Sequence, residues 1–342
     1  GNLNFRSDKF NIFGSSSYRT GERFSEGLRQ FDFEYNSSFV NSENEDSIRY
    51  LYQDTEDLRN NKNLSFRFGG DYYPSRTSTF SYTSTFNQKN QNSNENIFWT
   101  RPSIDTLIVD ESEDENNYNH SLSYENKFNS QIKKLNISLD YSKNFEEEVE
   151  NTAGLNNSIL NDQDNDASII IFDYEDKIFN LFNIETGFKA TLKSVKDNLN
   201  YLDQKYVYNY DEDIYAVYTT LGYQFSDRLG FKGGIRYEDV KTLALVEGDT
   251  IPATGVIHYV INNTIRSGKF DNPYKKYYPS LFLNYKLTDR NQIQFGYSKR
   301  VNRPGLRSLN PFPNDLLDES RIRNGNPFVK PEFSDVAEIN FS

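Results

Sequence analysis

The sequence predicts an all-β protein, an antiparallel β-barrel that crosses a membrane, and three observations lead there. The first is period-two alternation. Leu281, Leu283, Tyr285 and Leu287 fall on one side of an extended chain, with Phe282, Asn284 and Lys286 between them, so one side meets an apolar medium. The second is composition. The 342 residues include 25 Tyr and 27 Phe, yet only 35% are hydrophobic and the mean hydropathy is −0.81. A water-soluble domain this polar has fewer aromatics, and a disordered chain far fewer. A barrel reconciles the two, because only alternate residues face lipid and aromatic girdles flank the apolar band. The third is rhythm. Short turns at Ser7, Tyr73, Asn129, Ser226 and Thr288 alternate with long polar stretches, as expected where one rim has tight turns and the other long loops.

In chain order, Asn2 to Arg6 reads as a short strand, and Phe10 to Tyr18 alternates weakly before a polar loop at Thr20 to Gly27. Phe31, Phe33, Tyr35 and Phe39 then alternate with Asp32, Glu34, Asn36 and Ser38. Carboxylates at alternate positions cannot face lipid, so that side lines a wet or protein-filled lumen. Ser47 to Asp54 is a short strand. Leu64, Phe66, Phe68 and Tyr72 form another, turned by Tyr73-Pro74-Ser75-Arg76 onto Phe80, Tyr82 and Phe86. From Asn87 to Tyr118 the alternation fails, which predicts a long loop with a small hairpin at Thr106 to Asp110.

Leu122 and Tyr124 lead through a turn at Asn129 to Lys133 into Leu135, Ile137, Leu139 and Tyr141. A long acidic loop is expected at Glu146 to Asp166, then strands on Ile170, Phe172 and Tyr174 and on Ile184, Phe188, Ala190 and Leu192. Tyr215, Val217, Leu221, Tyr223 and Phe225 pair through Ser226-Asp227-Arg228 with Leu229, Phe231, Ile235 and Tyr237. A loop at Lys241 to Lys276 precedes the hairpin of the opening observation, whose return strand carries Ile293, Phe295 and Tyr297. This gives roughly fifteen strands, each near the ~9–11 residues that cross a bilayer at a tilt. The residues placed toward lipid are Leu221, Tyr223, Phe231, Leu281, Leu283, Tyr285, Phe295 and Tyr297.

Catalytic and metal chemistry has few supporters in the sequence. There is no cysteine and no methionine, and the histidines are His120 and His258. Thiolate sites and disulfides are excluded, and His120 reads as an interfacial or loop residue. Asp162, Asp164 and Asp166 have the spacing that opens a calcium loop. The glycine and glutamate that complete such a loop are replaced by Ala167 and Asp173, so a plain acidic loop is the simpler reading. No cofactor fingerprint is present, and a catalytic role is not expected. The net charge of −12 argues against a nucleic-acid partner, which needs a basic excess. No apolar run reaches the roughly 18 residues of a membrane-spanning helix.

The C-terminal punctuation is the most specific feature. Tyr297, Ser298, Arg300, Arg303 and Pro304 end a strand; Leu309-Asn310-Pro311-Phe312 follows, then Gly325-Asn326-Pro327, Pro331 and Glu332. This order resembles the barrel of the TonB-dependent receptors of the Gram-negative outer membrane, in particular the Bacteroidetes branch. Glu212 to Glu238 is similar to that family's mid-barrel hairpin. The resemblance implies a barrel of about 22 strands around a plug, of which this chain is expected to hold the central part, strands two to sixteen, with plug and C-terminal strands outside it. Position 1 is not methionine, so a missing signal peptide is uninformative.

The resemblance further implies active uptake of a scarce ligand, such as a chelated metal, a cofactor, a glycan or a peptide. The implied partners are outer-membrane lipid and lipopolysaccharide, the TonB energising complex acting through the plug, and a surface lipoprotein or other subunits. Two alternatives stay open: a non-transporting barrel that scaffolds a surface or secretion complex, and a soluble carbohydrate-binding or hydrolytic β-protein. Arg300, Arg303, Asn310, Arg321 and Asn326 are the candidates for ligand binding or loop anchoring. In one reading Arg300, Arg303, Arg307, Arg321 and Arg323 form a basic spot for an anionic ligand. In the other, the prolines and asparagines lock a loop over the barrel mouth.

Overall fold

The computed structural model describes residues 1–32, 50–99, 105–128, 132–153, 158–201, 204–248, 268–288, 290–312 and 325–342. They form one antiparallel sheet in which neighbours in sequence are neighbours in space. Its strands are β1 (Asn2–Arg6), β2 (Phe10–Asp32), β3 (Tyr50–Tyr72), β4 (Ser78–Trp99), β5 (Asp105–Asn126), β6 (Lys134–Thr152) and β7 (Ser158–Ile178). They continue as β8 (Phe182–Tyr201), β9 (Gln204–Gln224), β10 (Leu229–Gly248), β11 (Gly268–Asp271), β12 (Tyr274–Lys286), β13 (Gln292–Asn302) and β14 (Glu332–Phe341). β11 and β12 behave as one interrupted strand, since both pair with β10. The break falls at Asn272-Pro273, where proline has no N–H for the ladder, and the Asn272 N–H donates instead to Thr242 Oγ1 at 3.0 Å.

Register decides which side chains share a face, because paired residues of an antiparallel ladder point the same way. Starting at Phe10, one unbroken row runs through Tyr72, Phe80, Tyr124, Ile137, Phe172, Phe188, Val217, Tyr237 and Tyr277, each opposite the next. Tyr223, Phe231, Leu283 and Phe295 make a second row, and Leu221, Leu281 and Tyr297 lie in the adjoining one, bridged by Gly233. Tyr285 lies opposite Leu229 and Ile293. All eight residues placed toward lipid therefore share one face. The side chains of this face stay open to the surroundings: Phe172 is 41% exposed and Tyr285 45%. A continuous apolar surface of this extent needs a non-aqueous neighbour. Behind it the face is polar, as where Asp71 accepts from Asn11 at 3.0 Å and Ser81 at 2.7 Å.

The strands differ from expectation in length. β2 to β10 are 19 to 23 residues long, about twice the ~9–11 that a bilayer requires. Thr20 to Gly27 lies inside β2, and of the strand expected at Ser47 to Asp54 the described part, Tyr50 to Asp54, is the start of β3, while residues 47–49 lie outside the described residues. Most of Asn87 to Tyr118 belongs to β4 and β5, with Thr106 to Asp110 paired to β4 rather than to itself. Most of Glu146 to Asp166 belongs to β6 and β7. Among the described residues the strands therefore number fourteen, and the gaps between them at that rim are shorter than the expected loops; β9 begins at Gln204, three residues after β8 ends at Tyr201. The physical reason is that alternation reports a contrast between two environments. Where both faces are wet, the backbone still pairs but the hydropathy signal is gone. At the other rim tight turns recur at Ser7, Tyr73, Ser226 and Thr288, with one more at Phe179 to Leu181, where Phe179 and Asn180 adopt φ of 55°; the turn expected at Asn129 to Lys133 falls partly on residues 129–131, outside the described residues. Phe33 to Phe39, Arg321, Arg323 and His258 lie outside the described residues.

Candidate functional site

Above the aromatic row the polar face divides into two sectors. On β8 to β10 it turns locally apolar, because β9 alternates Tyr206, Tyr208 and Tyr210 onto it, β8 adds Val195 and Leu199, and β10 adds Ala244 and Val246. The chain covers this patch with its own C-terminal loop. After β13, Arg303 leads into α1 (Leu306–Leu309), one helical turn, and Leu309 and Phe312 complete the cluster. The Phe312 ring lies edge-on to Tyr206 and to Tyr208, with centroids 6.2 Å from each. Tyr206 and Tyr208 are 1% exposed.

Polar bonds pin the same loop. The Arg303 Nε donates to the Tyr274 hydroxyl at 2.9 Å, and its guanidinium donates to Glu238. Glu238 is 3% exposed and also accepts from Arg236 Nε at 2.7 Å, so a buried carboxylate is held by two cations. The Asn310 side-chain amide donates to Asp197 Oδ2 and its Oδ1 accepts from the Phe312 N–H at 2.9 Å. Gly325 and Asn326 close the loop onto α1: their N–H groups donate to the carbonyls of Asn310 and Ser308, each at 2.8 Å. A side chain at Gly325 would run into the Asn310 and Arg307 carbonyls. Asn326 Oδ1 accepts from the Phe328 N–H at 2.9 Å.

The second sector is acidic. On β5 and β6 the register sets Glu111 against Glu150, Glu113 against Glu148 and Glu115 against Glu146, on the same face as Asp197. On β4, Lys89 Nζ reaches Glu113 at 2.6 Å; on β3, Arg59 is engaged by Asp57 at 2.6 Å. Below the glutamates runs an amide ladder, in which Asn144 donates to Glu115 at 2.8 Å and to Asn117 at 2.7 Å, and Asn165 donates to Gln163 at 2.8 Å. The outward positions at this level include Asp110, Asp114 and Asp162, so the sector stands beyond the lipid-facing band.

Burial, and then the charges of Glu111, Glu146, Glu113 and Asp197, push the Glu148 carboxyl up to about 7. Burial likewise raises Glu111 and Glu146. It takes Asp197 to about 6, although bonds from Asn310 and Gln163 pull the other way.

The structure does not gather the arginines into a basic spot among the described residues. Arg300 donates to Ser298 Oγ at 3.0 Å and lies 3.7 Å from Glu338, whereas Arg303 anchors the loop to β10 and β12. Asn310 and Asn326 are loop-locking groups. Asp162, Asp164 and Asp166 are strand residues on the outward face of β7, where Lys143 Nζ approaches Asp164 at 3.0 Å and Tyr141 donates to Asp166 at 2.7 Å. Among the described residues no group of three or more His, Asp or Glu is placed to hold a metal ion. His120 faces outward, stacked between Tyr82 and Tyr141. Sequence reasoning missed Asp197, Glu238 and the opposed glutamates. The alternation of Tyr206, Tyr208 and Tyr210 was the available signal for the dry patch.

A family model described as the outer membrane protein beta-barrel family matches residues 126–342. Among solved structures, the chain is similar to the ferric yersiniabactin uptake receptor FyuA from Yersinia pestis, at 11% identity and a TM-score of 0.55, covering 95% of this chain and 51% of that one. It is similar also to the ferric-catecholate import receptor Fiu from E. coli K12, at 10% identity and a TM-score of 0.53, covering 98% and 56%. A third is the alcaligin outer membrane receptor FauA from Bordetella pertussis, at 11% and 0.51, covering 98% and 48%. At these identities the shared property is the fold, and the chain spans about half the length of these receptors. No curated protein matches the sequence.

Proposed function

This chain belongs to the outer membrane protein β-barrel family, and we propose that it forms wall and mouth of a receptor for active uptake of a scarce ligand. A chelated metal, a cofactor, a glycan and a peptide are the ligand classes in scope. The observation that carries this reading is the division of labour along each strand. The lower part sets an apolar face against lipid, and the upper part continues past the membrane with both faces wet, one carrying a docked loop and a charged wall. A wall built only to seal the membrane needs no such extension; a vestibule that captures solute does.

On this reading the barrel contributes no chemical step. Its apolar face anchors it among lipid and lipopolysaccharide, its polar face guides solute, and the loop segments 303–312 and 325–331 narrow the mouth from β10 toward β8. Transport against a gradient needs work from outside the barrel, which the reading assigns to the TonB energising complex acting through a plug. On this reading a surface lipoprotein is a further subunit.

The test is a growth screen on limiting nutrients with two lesions, loss of this protein and loss of TonB. Both lesions should abolish growth on the same nutrient, and the double mutant should be no worse than either. If deletion leaves growth unchanged on every limiting nutrient while a surface complex dissociates, the barrel is a scaffold and not a transporter.

A further inference from the structure

Tyr218 reaches across a whole strand. Asp173, Gly187, Tyr218 and Arg236 stand opposite one another in turn on β7, β8, β9 and β10, so they make one rung of the inner face, beside the outward aromatic row that includes Val217. The backbones of β7 and β9 lie about 10 Å apart, yet the Tyr218 hydroxyl donates to Asp173 Oδ1. Gly187 makes this possible, because a Cβ there would come within 2.6 Å of both the Asp173 carboxylate and the Tyr218 ring. The same ring supports Arg236, whose guanidinium carbon lies 5.3 Å from its centroid, a cation–π contact. Arg236 Nε donates to Glu238 Oε1 at 2.7 Å, and Glu238 Oε2 accepts from Arg303 at the root of the docked loop. Five side chains thus join the wall of β7 to the loop without a break.

The two ends of this chain of contacts differ. The Arg236 side chain is 33% exposed and that of Glu238 4%, while Asp173 and Tyr218 are half-buried. The lumen end is open and the loop end is closed. A carboxylate is planar, so holding Oε1 of Glu238 fixes where Oε2 points, and the group that holds it, Arg236, is itself placed by the Tyr218 ring. Charge-assisted bonds of this kind depend on geometry as well as charge. We infer that the relay is a latch: Tyr218 and Gly187 position Arg236 and through it Glu238, so that docking of the loop onto Tyr206 and Tyr208 is set in part from the lumen wall at membrane depth. Tyr218 is a positioning residue that acts on the loop through Arg236. The loop, docked or lifted, is the two-state element that such coupling requires. None of this depends on transport.

The experiment uses the full-length protein in lipid vesicles with Leu309→Cys as reporter. Leu309 is 6% exposed, so a maleimide reaches a thiol there only when the loop lifts, and mass analysis of the labelled peptide confirms the site. In that background Tyr218→Phe, which keeps the ring and removes its bond to Asp173, should speed labelling about threefold. Gly187→Ala removes no bonding group but drives the ring aside, and should speed labelling about tenfold. Asp173→Ala should match Tyr218→Phe, whereas Asp173→Asn keeps an acceptor for the hydroxyl and should stay within about twofold of the parent. All four should retain the heat-modifiable gel shift of the folded barrel; if Gly187→Ala does not assemble, Tyr218→Phe and the Asp173 pair decide. With Arg303→Gln added, the latch is already open, and Tyr218→Phe should change the rate by less than about twofold. Labelling unmoved by Tyr218→Phe and Asp173→Ala would overturn the inference. So would an equal fold-change with and without Arg303, because the lesions would then weaken the sheet at large instead of acting through the latch.

Discussion

The two sectors of the upper inner wall have the same backbone and opposite fates. On β8 to β10, Tyr206, Tyr208 and Val246 are shut away under Leu309 and Phe312; on β5 and β6, glutamates stand opposite glutamates on the inner face, with Lys89 bonded to Glu113. The sheet supplies position and the side chains decide the occupant. Where alternate residues are aromatic the chain folds its own loop onto them, and where they are carboxyls it leaves them lining the interior.

The largest expected difference between the sectors follows from Phe312→Ala. Truncating a buried phenylalanine costs about 3–5 kcal/mol, which should free the loop while leaving the barrel assembled. Limited proteolysis of the native protein should cut within residues 303–312 or 325–331 in the variant and not in the parent, with the heat-modifiable gel shift retained. If the variant resists protease as the parent does, the dry sector is not what holds the loop. Next in size is the lipid-facing assignment that both sectors share. Leu283→Arg should lower folding stability in vesicles by about 2–4 kcal/mol, whereas Asn284→Arg, on the other face of the same strand, should be tolerated. Equal effects would reject the facing of the whole sheet.

Arg303→Gln is expected to cost about 1.5–3 kcal/mol, because Glu238 keeps Arg236 but loses its second cation; loop release and a lower urea midpoint would register it. The acidic sector's effect comes through pH, with a definite sign. Glu148 ionises near 4.5 when unfolded and near 7 in the fold. The folded state therefore holds the proton more tightly, and that contribution is full below pH 4.5 and lost as pH rises through about 7. The urea midpoint should be higher at pH 5 than at pH 8, and Glu148→Gln should flatten the difference. Glu111, Glu113, Glu146 and Asp197 oppose its charge and Lys89 and Arg59 favour it, so a midpoint that rises with pH would show that the cations dominate.

The lipid-facing half of the fold was legible in the sequence because lipid and lumen differ sharply, and residues such as Leu283 and Asn284 record the difference at each step. The upper half was not. Glu111 to Glu115 and Glu146 to Glu150 alternate with residues that are also polar, so nothing in hydropathy marks them as paired strands. Of the site, the loop-locking role of Asn310, Asn326 and Gly325 could be anticipated from turn chemistry. Asp197 and Glu238 could not, since each becomes significant only when a loop from more than sixty residues away arrives beside it.

The overlong strands have an outcome of their own. At ~3.3 Å per residue and a tilt near 40°, a strand of about 20 residues climbs roughly 50 Å, against a hydrocarbon-matching band of ~25 Å. The molecule should stand out of the cell surface like a turret, its parapet a few nanometres above the phosphates of the leaflet. At physiological ionic strength electrostatic influence fades over ~8 Å, so an approaching ion at that height answers to the turret's charge and hardly at all to the membrane's.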